Sequence, residues 1–253
     1  MARRLVALLW DVDGTLAETE LEGHRLAFNA AFAEHGLPWQ WDRATYLPLL
    51  RVGGGRERMA AFLEQAEGAP PAAALLDRLV EAKKRHYARL LQGGALPLRE
   101  GVVPLIDAAR VAGLRQAIVT TSSRAAVEAL VAGSLAERAG AFCAWFCGDD
   151  VTRKKPDPEG YLLALARLGL DPATVLAVED SPPGLAAATA AGLTTLVTLS
   201  SGSRHEPAAA FAAAAAVLDG LGSPERHPTL LRGPACPGGQ VTLSWLERLL
   251  PPP

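Results

Sequence analysis

Apolar positions along this chain follow two rhythms. Leu5-Val6-Ala7-Leu8-Leu9-Trp10 is an unbroken apolar run, too short and too uniform for a surface helix, and it predicts a strand covered on both faces. Similar runs recur at Gln116 to Val119, Phe142 to Cys147, Val175 to Val178 and Thr194 to Leu199. Between them lie helix-period patterns over Val102 to Val111, Arg124 to Arg138, Glu159 to Leu168 and Pro182 to Ala191. Strand alternating with helix predicts an α/β fold, a Rossmann-like parallel sheet with helices on both faces. The first strand belongs to the same sheet, since a lone buried strand has nothing to pair with.

From about Glu18 to Leu96 the rhythm is helical throughout. Leu26, Phe28, Ala31 and Phe32 mark one apolar face, Met59, Phe62 and Leu63 a second, and Leu75, Leu76, Leu79 and Val80 a third. A helical stretch of that length after strand one predicts a small domain inserted above the sheet. The expected division is a core of residues 1–17 and 97–253 and an α-helical cap of residues 18–96. In the tail, alanine-rich Ala208 to Ala216 predicts helix, and Ser223 to Gln240, rich in Pro and Gly, predicts loop. Ser244, followed three residues on by Glu247, predicts a capping box that opens a helix over Trp245 to Leu250.

Hydrophobic residues form 49% of the 253, enough for a sizeable core and too many for a disordered chain. With 25 basic residues against 27 acidic ones, no broad positive field draws the chain to nucleic acid. No apolar stretch approaches the roughly 20 residues of a membrane helix. The basic start, Met1-Ala2-Arg3-Arg4, runs into Asp11 and Asp13 before any signal-peptide core can form. The expectation is a cytoplasmic protein (plastid stromal if from a photosynthetic eukaryote) with neither nucleic acid nor membrane as partner. Cys143, Cys147 and Cys236 read as reduced thiols, the first two packed among aliphatic side chains.

The candidate chemistry lies where strands end. Asp11-Val12-Asp13-Gly14-Thr15 follows the first strand, and alternation points Asp11 and Asp13 the same way. A turn accounts for Asp13-Gly14 but not for a second carboxylate two residues earlier. Two carboxylates held close need a proton or a cation between them. Val175 to Val178 ends in Glu179-Asp180-Ser181, Gln116 to Val119 ends in Thr120-Thr121-Ser122-Ser123, and Lys154-Lys155-Pro156 precedes another helix. Each alone is ordinary capping or solvated charge. Together they meet at the carboxyl edge of the sheet, where a charged ligand would reward them. The set suits phosphoryl transfer. Asp11 can attack phosphorus, and Asp13 can protonate the leaving oxygen and later take a proton from water. Thr120 and Lys155, with Thr121 and Ser122 beside them, suit the phosphoryl oxygens. Asp11, Glu179, Asp180 and the carbonyl of Asp13 are candidate ligands of a divalent cation, and all-oxygen ligation favours Mg²⁺.

In chain order, Asp11-Val12-Asp13-Gly14-Thr15, Thr120, Lys155-Pro156 and Glu179-Asp180 resemble the four motifs of the haloacid dehalogenase superfamily of phosphatases. The helical insertion resembles that superfamily's small α-helical cap. Ala17-Glu18-Thr19-Glu20, Gly23-His24-Arg25, Ala27-Phe28-Asn29, Trp41-Asp42 and Gly54-Gly55-Arg56-Glu57-Arg58 are similar to the CbbY subfamily, a likeness that runs from Ala7 to about Ala216. It implies a Mg²⁺-dependent phosphatase of Calvin-cycle carbohydrate metabolism that acts on a small phosphorylated sugar; a monomer is expected. Its expected substrate is xylulose 1,5-bisphosphate, an inhibitory by-product of Rubisco. It also implies that Glu20 and His24 meet sugar hydroxyls or the distal phosphate. Gly54, Gly55 and Arg56 would form a specificity loop, with Arg58 and Lys83 as further cations for the second phosphate. Gly53 stands where the subfamily usually has threonine, Arg56 where it has lysine and Glu159 where it has aspartate. The motifs leave open a β-phosphoglucomutase-like mutase, or a phosphatase for another small monoester such as phosphoglycolate. A non-catalytic phosphate-binding module would not need Asp13.

Overall fold

The computed structural model describes residues 4–92, 96–236, 238 and 240–252. The basic start Met1-Ala2-Arg3 lies outside them, as do positions 237 and 239 of the tail. β1 (Ala7–Trp10) is buried at all four positions. Its alternation divides the core, with Leu8 and Trp10 facing one layer and Ala7 and Leu9 the other. A π-helical turn, Glu20–His24, comes next, followed by α1 (Arg25–Glu34), α2 (Arg43–Leu49), α3 (Gly55–Glu67) and α4 (Ala73–Gln92). The chain then runs through α5 (Val102–Val111), β2 (Arg115–Val119), α6 (Arg124–Ser134), β3 (Ala144–Phe146) and α7 (Glu159–Leu168). Next come β4 (Val175–Glu179), α8 (Pro182–Ala190), β5 (Thr194–Thr198), β6 (Ala216–Leu218), β7 (Leu230–Arg232) and α9 (Leu243–Leu249).

Among the described residues the strands form one sheet, ordered β3-β2-β1-β4-β5-β6-β7 and parallel except for β7. Helices α5, α6 and α9 cover the Leu8/Trp10 face, and α7 and α8 cover the other. Trp10 pairs with Ile118 of β2 and with Val178 of β4, so three strands end nearly level. β1 is also where the winding reverses, β2 lying on one side and β4 on the other. That crevice is where open α/β sheets take their ligands.

The segment between β1 and α5 has a core of its own, built on Phe28, Phe32, Trp41, Tyr46, Met59, Leu63 and Leu79. The Trp41 ring lies 4.8 Å from Phe28 and 5.0 Å from Phe32. Asn29 pins Trp41 in place, accepting from its backbone N–H at 2.7 Å and donating to its carbonyl at 2.8 Å. Where the chain leaves the sheet and returns, Ala17 and Leu98 form an antiparallel bridge.

The structure corrects the sequence reading in several places. Leu26 is exposed, and α1 buries Ala27, Phe28, Ala31 and Phe32. The helix expected over Arg124 to Arg138 stops at Ser134, because Leu135 leaves helical geometry to enter the core, and 3₁₀ turns follow over Ala136–Ala141. The alanine run forms only a short 3₁₀ turn, Ala208–Phe211, before Ala216 opens β6. Phe211 packs with Leu185 and Val197, and that burial overrides helix propensity. Inside the expected loop, Leu230–Arg232 pairs with β6. Cys147 is buried, but Cys143 is exposed.

The terminal helix is capped by Thr242, whose hydroxyl accepts from Trp245 N–H at 3.3 Å. Glu247 turns away to the start of β1 and accepts from Leu5 N–H at 3.3 Å, so no capping box forms. Thr242→Ala should therefore lower unfolding stability by about 1 kcal/mol. Ser244→Ala should stay within about 0.5 kcal/mol of the parent in the same urea titration; equal losses would return the cap to Ser244.

Candidate active site

Strand geometry places the acids. Asp11 N–H donates to Val178 O at 3.0 Å, which fastens the first residue after β1 to β4. The chain then turns tightly, Val12 O accepting from the N–H groups of Thr15, Leu16 and Ala17. Gly14 sits in this turn at φ 82°, and a Cβ there would run into Asp180 Oδ2. Glycine serves both the backbone conformation and the close approach of the second acid. Asp11, Glu179 and Asp180 each bring an oxygen within 4.8 Å of the others, and all three residues are buried.

One ammonium group faces this charge. Lys155 Nζ donates to Asp11 Oδ1 at 2.6 Å, to Glu179 Oε1 at 2.7 Å and to Val119 O at 2.8 Å. Burial works against its charge, but Asp11 and Glu179 outweigh burial and hold its pKa well above the ordinary ammonium range. Glu179 is fully buried and also accepts from Tyr161 Oη at 2.5 Å. Although counted among the candidate metal ligands, Glu179 is first the anchor of Lys155. Burial, followed by its acidic neighbours, pushes Asp11 well above the usual carboxylate range despite Lys155. Burial, Asp11 and Glu179 do the same to Asp180, against the hydroxyl of Ser200. Three buried carboxylates against one lysine leave an excess of negative charge at oxygen ligands, and that fits a divalent cation.

Asp13 faces the helical segment. Its Oδ1 meets His24 Nε2 at 2.8 Å and accepts from the hydroxyl of Thr19, while Ser122 donates its hydroxyl to Oδ2. Burial alone would raise Asp13, but His24, Ser122 and Thr19 together hold it well below the usual range. Lys83 Nζ lies 2.7 Å from His24 Nδ1, so Nδ1 accepts from the lysine and Nε2 carries the hydrogen given to Asp13. The His24 ring stacks on Tyr87 at 4.1 Å. Burial pushes the Lys83 ammonium down to about 8.

The other expected residues fall into distinct places. Thr120 is buried at the end of β2, and its Oγ1 accepts from Ser122 N–H at 3.1 Å. Glu20 accepts from Tyr46 Oη at 2.5 Å and from Arg58 Nη1 at 3.2 Å. Arg58 also donates from Nη1 to Tyr46 Oη and from Nε to Leu49 O, within the helical segment, and it lines both cavities described below. Arg56 is partly exposed and pairs with Asp77 at 2.5 Å. Gly54 precedes α3 and Gly55 opens it. Gly53 lies against the carbonyl of Lys155, where any Cβ would collide.

Two adjoining cavities meet at Asp13, Glu20, Arg58 and Thr121. The one of about 370 Å³ holds Asp11, Lys155, Asp180 and Arg51. The other, about 410 Å³, holds His24, Arg56, Lys83, Lys84 and Lys154. Reading the motifs missed Thr19, Tyr46, Tyr161 and Ser200. Ser200 could have been found by the strand-end rule, since it lies two residues past β5 and donates to Asp180 Oδ2 at 2.6 Å. No local pattern signals the two tyrosines.

Comparison with known proteins agrees with this geometry. The family model of the haloacid dehalogenase-like hydrolases matches residues 5–192. Protein CbbY of Rhodobacter capsulatus is 49% identical over 203 residues, which span 80% of this chain and 88% of that protein. A CBBY-like protein of Arabidopsis thaliana is 42% identical over 225 residues, 86% of this chain and 70% of that protein. CbbY of Rhodobacter sphaeroides, solved with phosphate and, as a point variant, with xylulose 1,5-bisphosphate, superposes with a TM-score of 0.79 at 42% identity. Both superpositions cover 85% of this chain and 94% of that one. The chain belongs to the haloacid dehalogenase-like hydrolases, in their CbbY group of phosphatases.

Proposed function

We propose that this enzyme hydrolyses xylulose 1,5-bisphosphate to xylulose 5-phosphate and phosphate, with Mg²⁺ as cofactor. The observation that carries the reading is the pair of adjoining cavities, each lined by cations, with Asp11 in one and Asp13 between the two. A bisphosphate has a use for both; a small monophosphate has a use for one. Residues 1–17 and 97–253 act as the catalytic core, and residues 18–96 as the cap that selects the substrate.

Asp11 attacks phosphorus and the sugar oxygen leaves, which gives an aspartyl-phosphate that water then hydrolyses. Lys155, fixed by Glu179 and Val119 O, orients the Asp11 carboxylate and offsets charge on the phosphoryl oxygens. Thr120 supplies its hydroxyl and Thr121 its hydroxyl and amide to the same oxygens, and Ser122, which donates to Asp13 and Thr120, holds the two in place beside them. Asp13 carries the protons. In the substrate-free arrangement it is ionised among three donors, the state that takes a proton from water. A bound phosphate dianion raises its pKa and lets it hold the proton that the leaving oxygen needs. Asp11, Asp180 and the carbonyl of Asp13 would hold the Mg²⁺, which supplies charge neutralisation at the phosphate. Arg56, Lys83 and His24 take the distal phosphate and the sugar, Arg56 exchanging Asp77 for the ligand.

Phosphate release from xylulose 1,5-bisphosphate with Mg²⁺, lost on chelation, is the expected result. Turnover of phosphoglycolate in preference to it, or conversion of glucose 1-phosphate to an isomer, would overturn the substrate assignment. Asp11→Asn should abolish turnover, and Asp13→Asn should lower kcat by about 10²–10⁴-fold, both with an unchanged circular dichroism spectrum. Arg56→Ala should reduce kcat/KM for the bisphosphate by about 10-fold or more, the value of a charge-assisted hydrogen bond. Monophosphates should be nearly unaffected, and an equal loss for both would remove Arg56 from the distal site.

A further inference from the structure

The loop after β5 reaches the acidic cluster through a single hydroxyl, that of buried Ser200 on Asp180 Oδ2. One side chain from the far side of the insertion makes several of the contacts that hold that loop. Arg99 Nη1 donates to Thr198 O at 2.9 Å and Thr198 Oγ1 at 2.8 Å, and Nη2 donates to Leu199 O at 2.6 Å. The same Nη1 donates to Gly14 O, and Arg99 N–H donates to Leu16 O at 2.9 Å. Nε lies 3.1 Å from Glu18 Oε1, and Glu18 accepts from Ser201 Oγ at 2.6 Å. The Arg99 side chain is only 9% exposed. A guanidinium is costly to bury unless its donors are matched, and these are matched by the loop that carries Asp11 and by the loop whose Ser200 donates to Asp180.

We propose that Arg99 is a positioning residue for that site. It sets the spacing between the Asp11–Gly14 loop and the Ser200–Asp180 pair, and through Glu18 it ties that spacing to the point where the chain enters the helical segment. The proposal rests on the reading that Asp11 and Asp180 hold a divalent cation, and adds to it a residue that touches neither cation nor substrate. A purely architectural arginine would change melting temperature and leave ion affinity alone. A positioning one changes affinity in the folded protein.

The test is calorimetric titration of the substrate-free full-length chain with Mn²⁺, for the parent, Arg99→Lys, Ser200→Ala and the double variant, with melting curves alongside. Lysine keeps the charge but not the fork. Binding should weaken by about 10–100-fold in each single variant, the usual loss when a partner behind a ligand shell is removed. The double variant should lose less than the sum, because both changes act through Asp180. In turnover, the Mg²⁺ concentration for half-activation should rise while kcat at saturating Mg²⁺ changes little. Unchanged Mn²⁺ affinity in either single variant overturns the proposal, and if Arg99→Lys does not fold, Ser200→Ala decides it. A parent protein that binds no Mn²⁺ overturns the cation reading instead.

Discussion

Negative charge buried at the crevice between β1 and β4 is the constraint that organises this structure. Asp11, Glu179 and Asp180 each bring a carboxylate oxygen within 4.8 Å of the others at the ends of two fully buried strands. Carboxylates removed from water repel one another strongly, and such a cluster persists only where fixed donors and cations answer it. Lys155 is held by three acceptors, Tyr161 by Glu179 and Ser200 by Asp180. Each contact reduces a repulsion that the parallel register makes unavoidable. What they leave uncompensated is the site's affinity for a cation and for a phosphoryl group with cationic neighbours.

Asp13 belongs to a different electrostatic world two residues away. Its donors come from both parts of the chain: Ser122 from the sheet edge, Thr19 and His24 from the helical segment. The carboxylate thus has its full set of partners only when the helical segment sits down on the sheet. That segment is in turn stiffened by a buried polar network, Glu20 with Tyr46 and Arg58, beside the Phe28–Trp41 aromatic core. The electrostatics of Asp13 are therefore coupled to the seating of the helical segment on the sheet.

Much of this was legible in the sequence, for a physical reason. An apolar run too short for a surface helix predicts a strand, and a buried parallel strand delivers its next residues to a known edge. Asp11, Asp13, Thr120 and Asp180 follow from that rule without knowledge of any contact. The rule says where a residue is, not what it touches. That Glu179 anchors Lys155 could not be read from the sequence, because only the fold shows Lys155 and Tyr161 on its Oε1. That Arg58 also braces Tyr46 and Glu20 could not be read from the sequence, because Tyr46 is twelve residues away with no signalling pattern. The tail misled for the opposite reason: alanine propensity is a weak local preference, and one well-buried side chain, Phe211, together with an open sheet edge, overrode it.

The loop expected to choose the substrate illustrates how an absent side chain can decide geometry. It touches the sheet domain through Arg51 with Glu206 at 3.4 Å and through Glu57 with Lys154 at 2.9 Å. Arg51 is largely exposed and Glu57 nearly half so, and exposed ion pairs contribute at most about 1 kcal/mol each. Neither fixes the loop firmly. Between them Gly53 lies directly on the carbonyl of Lys155, with no room for a Cβ. The threonine usual in the CbbY group at this position cannot be accommodated in this arrangement without lifting the loop. Its replacement by glycine lets backbone meet backbone beside Lys155. The seat of this loop on the sheet domain is therefore set at Gly53 by steric contact more than by the charges on either side.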